Sequence, residues 1–257
     1  MRTIDLNIEC DRIAGFIREQ LQSAGLSQIV IGLSGGVDSA VACALAVRAI
    51  GATNVHGVML PYRTSAQESY DDALAVAEYL GIAHEKVEIT PMVDAYFTTY
   101  ATDATPLRRG NRMARERMCV LFDLSAKYGA LVEGTGNKSE LWVGYVTQHG
   151  DGACAFEPIG HLYKTEVWEM ARLLGLPKAV IEKKPTADLW DGQTDENEMG
   201  IAYLGLDEIL WRLIDRKMPR EQVITDGFSA QDVDKVLGMI ARSAFKRCLP
   251  PQPEWLG

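Results

Sequence analysis

Residues 29–39 read Ile29-Val30-Ile31-Gly32-Leu33-Ser34-Gly35-Gly36-Val37-Asp38-Ser39, and no other stretch constrains the chain so tightly. Ile29, Val30, Ile31 and Leu33 suit a strand buried in a parallel sheet. A glycine turn follows at once, and residues 40–47 run on as an apolar helix. Strand, tight turn and helix start together form a phosphate-binding geometry. Gly35 and Gly36 tolerate positive φ and allow close backbone approach. The helix start offers unpaired N–H groups and the positive end of its dipole, and Ser34 and Ser39 add hydroxyls. Asp38 would repel a bare phosphate, so its presence implies a divalent cation between them. A plain capped turn needs neither paired glycines nor two flanking serines. No Lys follows Gly36, which rules out the Walker loop, and the spacing is not G-x-G-x-x-G.

The length of 257 residues fits a single domain spanning 1–257, and an apolar fraction of 47% supplies a full core. A net charge of −9 argues against nucleic acid or an anionic membrane as partner. No apolar run is long enough to cross a membrane, and the first residues lack a signal-peptide core. Cys10, Cys43, Cys119, Cys154 and Cys248 are odd in number without a C-x-x-C pair, so the expected setting is the reducing cytoplasm, with neither a disulfide frame nor a zinc site.

Around the glycine turn, helical spacing is expected over 5–24, 69–80, 106–128, 162–174, 206–214 and 233–244, with a further helix opened by Pro91. Strands are expected at 55–60, 84–89 and 130–133. Alternating strands and helices predict a doubly wound, mostly parallel α/β sheet with flanking helices and a helical C-terminal tail. Residues 61–68 follow the carboxyl end of a strand, where open sheets bind ligands. Arg108, Arg112 and Arg115 share one helical face and form the densest positive patch, a candidate anion site. Residues 134–140, Gly134-Thr135-Gly136-Asn137-Lys138-Ser139-Glu140, make a second glycine turn. Residues 186–200 are polar and acidic, and composition reads them as an exposed loop.

The run 34–39 resembles the SGGxDS pyrophosphate loop of the N-type ATP pyrophosphatases, which share the adenine nucleotide alpha hydrolase-like fold. Four further runs, at 110–118, 134–140, 162–165 and 184–190, resemble the ammonia-dependent NAD synthetases in the same order across nearly the whole chain. The resemblance implies ATP-dependent amidation of deamido-NAD by free ammonia, through an acyl-adenylate, with release of AMP and pyrophosphate. It places the ATP phosphates on Gly32, Leu33, Ser34, Gly35, Gly36, Val37, Asp38 and Ser39, with further ATP contacts from Thr135, Lys164 and Thr186. It makes Asp38 and Glu140 the Mg²⁺ ligands and Asp151 the group that positions and deprotonates ammonium. Lys164 is then a catalytic cation. Arg115, Gln148, Ala155, Phe245 and Lys246 fall on the deamido-NAD side. A homodimer with the dinucleotide in a groove between subunits is implied, as are two loops, 61–68 and about 186–200, that close on ATP.

Three positions depart from the family pattern. Gln148 stands where Lys is usual, Ala155 where Asp is usual, and Phe245 where His is usual. All three lie on the acceptor side, whereas the ATP-side matches are intact. Losing a lysine removes a point charge, and a histidine replaced by phenylalanine keeps stacking but loses hydrogen bonding. The alternatives are therefore the same chemistry on a different carboxylate, or a tRNA-modifying ATP pyrophosphatase. The latter would call for a reactive cysteine pair and a basic surface, which the sequence lacks. A non-catalytic nucleotide-binding subunit is disfavoured by Asp38, Glu140 and Lys164.

Overall fold

The computed structural model describes residues 2–186 and 194–253. Its sheet is four-stranded and parallel in the order β3-β2-β1-β4, built from β1 (Gln28–Gly32), β2 (Val55–Met59), β3 (Ala83–Lys86) and β4 (Ala130–Glu133). Ile29 is in register with Val55 on one side and Leu131 on the other. β1 is therefore central, and Ile29, Val30 and Ile31 are fully buried. The chain winds from β1 outward to β2 and β3, then returns to place β4 on β1's other side. The strand order reverses between β1 and β4, so a crevice opens at their carboxyl ends.

One face of the sheet is covered by α1 (Leu6–Ala24), α2 (Val37–Ile50), α3 (Gln67–Leu80) and α7 (Lys164–Leu173). Ala40, Ala42, Cys43, Ala44 and Ala46 in α2 are buried and small, which lets the helix lie close between the sheet and its neighbours. The other face is covered by α4 (Thr90–Tyr100) and α5 (Pro106–Tyr128). Pro91 sits in the first turn of α4, where its missing N–H costs nothing. A third cluster joins α6 (Lys138–Val143) to the helical tail: α10 (Tyr203–Leu210), a wide π turn at Trp211–Asp215, α11 (Arg220–Thr225) and α12 (Ala230–Arg242). The short helices α8 (Lys178–Glu182) and α9 (Asp195–Met199) lie between α7 and this tail in the chain.

Three expectations need correction. The third strand stops at Lys86 rather than continuing to Ile89; Val87 and Ile89 donate instead to the carbonyls of Met59 and Pro61, and the chain turns into α4. The tail helix expected to reach Ile214 passes into the π turn after Leu210. Within 186–200, Asp195–Met199 is helical and both end residues are buried, so acidic composition misjudged this part. The lid expected over that stretch falls in part on residues 187–193, outside the described residues. No helix among the described residues is long and apolar enough to cross a membrane.

Candidate active site

The crevice at the β1–β4 switch point opens into a cleft of about 620 Å³. The loop after β1 forms its floor. Gly35 adopts φ of +76°, and a Cβ there would lie 2.2 Å from the Ser69 carbonyl oxygen, so only glycine fits. Gly36, at φ of −92°, is the N-cap of α2 and supplies no side-chain cap. The first-turn N–H groups thus remain available to an anion. Ser34 Oγ and Ser39 Oγ lie 3.1 Å apart, and Ser39 Oγ donates to the Gly36 carbonyl at 3.0 Å.

The loop after β4 meets the first. Asn137 caps α6, accepting from the Glu140 N–H at 3.1 Å, and its Nδ2 donates to Asp38 Oδ1 at 2.8 Å. Lys164, at the start of α7, donates to Asp38 Oδ2 and to Glu140 Oε1, the latter at 3.0 Å. Its side chain is 3% exposed. Burial works against its charge, but Asp38 and Glu140 outweigh that and raise its pKa. Glu140 is raised mainly by burial, opposed by Lys164 and reinforced by the charges of Asp38 and Asp195. Tyr203 donates to Glu140 Oε1 at 2.9 Å and places its ring 5.0 Å from the Lys164 ammonium. Asp195 accepts from Tyr145 at 3.0 Å and Tyr203 at 3.3 Å. Two hard carboxylates from separate loops thus converge on one cation, a donor set suited to Mg²⁺.

Two glycines of the second loop leave room for Glu157. A Cβ on Gly134 would lie 2.6 Å from its carboxyl carbon, and Gly136 N–H donates to its Oε2 at 2.9 Å. Thr135 between them lines the cleft. Burial, with help from Asp151 and Glu140, pushes the Glu157 pKa up to about 7. Neighbouring Glu133 is buried with neither carboxyl oxygen bonded among the described residues, and burial raises its pKa well above the usual range.

Most ATP-side positions line this cleft: Gly32, Leu33, Ser34, Gly36, Val37, Asp38, Ser39, Thr135, Glu140, Lys164 and Thr186. Gly35 supports the turn from behind, against Ser69. Asp151 also lines the cleft, and Oδ1 accepts from Thr147 N–H at 2.8 Å. Crowding around its carboxylate raises the pKa in direction, although the turn that carries it is open to solvent. Lys246 lines the wall while donating to the carbonyls of Gly144 and Val146, both at 2.7 Å.

The other acceptor-side positions stand apart. The guanidinium of Arg115 reaches the Gln148 carbonyl at 3.2 Å, Ala155 donates its N–H to Val132 at 2.8 Å, and Phe245 is 61% exposed. The arginine run does not offer one free anion-binding face. Arg112 pairs with Glu116 and stacks on Tyr96, and Arg108 lies 3.6 Å from Asp103. Arg117, which the sequence did not single out, does line the cleft and donates to the Leu60 carbonyl at 3.0 Å. Sequence reasoning also passed over Asn137, Asp195, Tyr203 and Glu157. Asn137 carried a signal, an Asn three residues before Glu at a helix start. The others gave none, because long-range packing alone brings them here.

Comparison with known proteins identifies the family. The family model described as NAD synthase matches residues 9–250. The NH(3)-dependent NAD(+) synthetase of Trichlorobacter lovleyi is 49% identical over 252 residues, covering 97% of this chain and 92% of that protein. Among solved structures, NMN synthetase from Francisella tularensis superposes with a TM-score of 0.88 at 32% identity, covering 98% of this chain and all (100%) of that one. NH3-dependent NAD synthetase from Campylobacter jejuni gives 0.84 at 31% identity, with 98% and 100% covered. This chain belongs to the family of ammonia-dependent NAD synthetases, which are carbon–nitrogen ligases.

Proposed function

We propose that the whole chain works as one unit that uses ATP to amidate the nicotinate carboxylate of deamido-NAD with ammonia, giving NAD, AMP and pyrophosphate. The observation that carries this reading is the convergence of Asp38 and Glu140, one from each glycine loop, on the buried Lys164 ammonium. A carboxylate does not condense with ammonia unaided, because oxide would have to leave. Attack of the carboxylate on the α-phosphorus of ATP expels pyrophosphate and forms an acyl-adenylate. Ammonia then attacks the acyl carbon, AMP departs, and the surplus proton passes to a base. Such chemistry needs positioning and charge neutralisation rather than a protein nucleophile.

The residues divide the work. The turn 34–39 and the start of α2 hold the phosphates, and Thr135 and Thr186 line the wall beside them. Asp38 and Glu140 would hold Mg²⁺, which when bound draws charge off the leaving pyrophosphate. Lys164, held by both carboxylates, supplies a fixed positive charge to the same region. Asp151 attracts ammonium and takes its proton. Arg115 and Lys246 serve the acceptor. Tyr96, Tyr100 and Phe122 are large apolar side chains left exposed on α4 and α5, which supports a homodimer. The test is incubation with MgATP, an ammonium salt and deamido-NAD: NAD and AMP should appear in equal amounts, and ATP consumption without NAD overturns the reading.

A second reading concerns the acceptor alone. Gln148, Ala155 and Phe245 depart from the family pattern where a dinucleotide would be gripped, and one similar solved structure is described as an NMN synthetase. On this reading the acceptor is nicotinate mononucleotide, which shares the reacting carboxylate and lacks the adenylyl half. Competing the two acceptors in one assay decides: the larger kcat/KM names the substrate.

A further inference from the structure

Among the described residues, five cationic side chains line the cleft: Arg117, Lys164, Lys183, Lys184 and Lys246. Lys164 is committed to Asp38 and Glu140, and Lys246 to two carbonyls. Lys183 is different. Its Nζ donates to Asp72 Oδ2 at 2.7 Å and to Ser69 Oγ at 3.2 Å. These partners belong to the turn of α3 that packs directly behind the phosphate loop. A Cβ on Gly35 would meet the Ser69 carbonyl oxygen at 2.2 Å and Asp72 Cβ at 3.1 Å. The ammonium therefore rests one side chain away from the glycine turn, and its own side chain is 17% exposed.

An aspartate beside a phosphate loop is unfavourable for phosphate binding unless a cation masks it, and Lys183 does so. A lysine is a compact charge on a flexible stem with three N–H donors, so with Asp72 and Ser69 taking two it can turn the third toward a phosphate oxygen while still masking the aspartate. It also begins the stretch that carries Thr186 along the cleft wall. We propose that Lys183 is a ligand of the pyrophosphate leaving from ATP, held ready on Asp72 and Ser69 beside Gly35. This rests on the reading of the cleft as an ATP site. It adds a second cation to Lys164 for the charge that builds as the α–β bond breaks.

Paired variants separate this role from a structural one. Lys183→Met removes the cation, whereas Asp72→Asn leaves it and frees it. The readouts are KM for ATP, inhibition by magnesium pyrophosphate, and the rise in melting temperature that magnesium pyrophosphate produces. For Lys183→Met, KM for ATP and the pyrophosphate inhibition constant should both rise about tenfold or more. The melting shift should shrink, while KM for the acceptor at saturating ATP stays unchanged. For Asp72→Asn, pyrophosphate should bind as tightly as in the native protein or more tightly. Equal losses in both variants, or a full melting shift in Lys183→Met, overturn the proposal. If Lys183→Met does not fold, Asp72→Asn still decides, since weaker pyrophosphate binding there overturns it. If the native protein makes no AMP with either acceptor, the functional reading fails, while the melting shifts still test Lys183.

Discussion

Asn137 lies 99 residues beyond Asp38 in the chain, yet its Nδ2 donates to Asp38 Oδ1 at 2.8 Å with the asparagine side chain buried. The same side chain caps α6 and so sets the direction of Glu140. One amide thus fixes both carboxylates that face Lys164. Replacing it removes a helix cap, at about 0.5–2 kcal/mol, and releases Asp38. Asn137→Ala should lower kcat/KM by about 10- to 100-fold, the usual cost of losing an orienting partner, with only a modest fall in melting temperature. Unchanged kcat/KM would show that Asp38 needs no such support.

Lys164 neutralises two carboxylates in a buried site. Lys164→Met leaves them facing each other uncompensated, which typically costs about 3–5 kcal/mol. Activity should be lost. Millimolar Mg²⁺ should raise the melting temperature of this variant more than that of the native protein, because the ion takes over the charge balance. A variant insensitive to Mg²⁺ would argue against Asp38 and Glu140 as a cation-binding pair.

Gly35 combines φ of +76° with a backbone oxygen where a side chain would begin. Gly35→Ala faces the left-handed penalty of about 1–2 kcal/mol and a clash that no rotamer change relieves. Loss of ATP binding by calorimetry should exceed the loss of stability by urea titration. Intact ATP affinity would mean that the turn can open without consequence.

Stability should depend on pH in a stated direction. Burial pushes Glu157 up to about 7 and Asp207 up to about 6. Groups with raised folded-state values hold their protons better folded than unfolded. Their contribution is complete below about pH 4, the unfolded range, and is lost as pH rises through their folded values. Glu9 behaves oppositely: despite burial, Arg12 and His161 lower its pKa, so its contribution disappears as pH falls through that lowered value. The ligand-free protein should therefore be most stable near pH 4 to 5, with a urea midpoint that declines as pH rises to about 7. Glu157→Gln should flatten the decline. A midpoint that rises from pH 6 to 8 contradicts the assignment.

The residues 29–39 and 134–140 announced two strand–glycine–helix units, and their local chemistry was sufficient to place them. Apolar runs need buried strands, glycine is required where φ is positive as at Gly35, and Asn137 three residues before Glu140 caps a helix start. Arg108 and Arg112 show the limit of such reading, because a helical face cannot reveal that Glu116, Tyr96 and Asp103 will take those charges. Asp195 shows it again, since an acidic stretch reads as exposed until Tyr145 and Tyr203 supply the hydrogen bonds that make its burial tolerable.

The sequence by itself determined the parallel sheet, both glycine loops and the family, because short-range patterning and local backbone requirements specify them. Only the tertiary structure decided that Asp38, Asn137, Glu140 and Lys164 share one charge-balanced centre, that Glu157 fills the space left by Gly134, and that Lys183 rests on Asp72. Those contacts join residues far apart in the chain, and their geometry follows from where the sheet reverses its strand order rather than from any neighbouring residue.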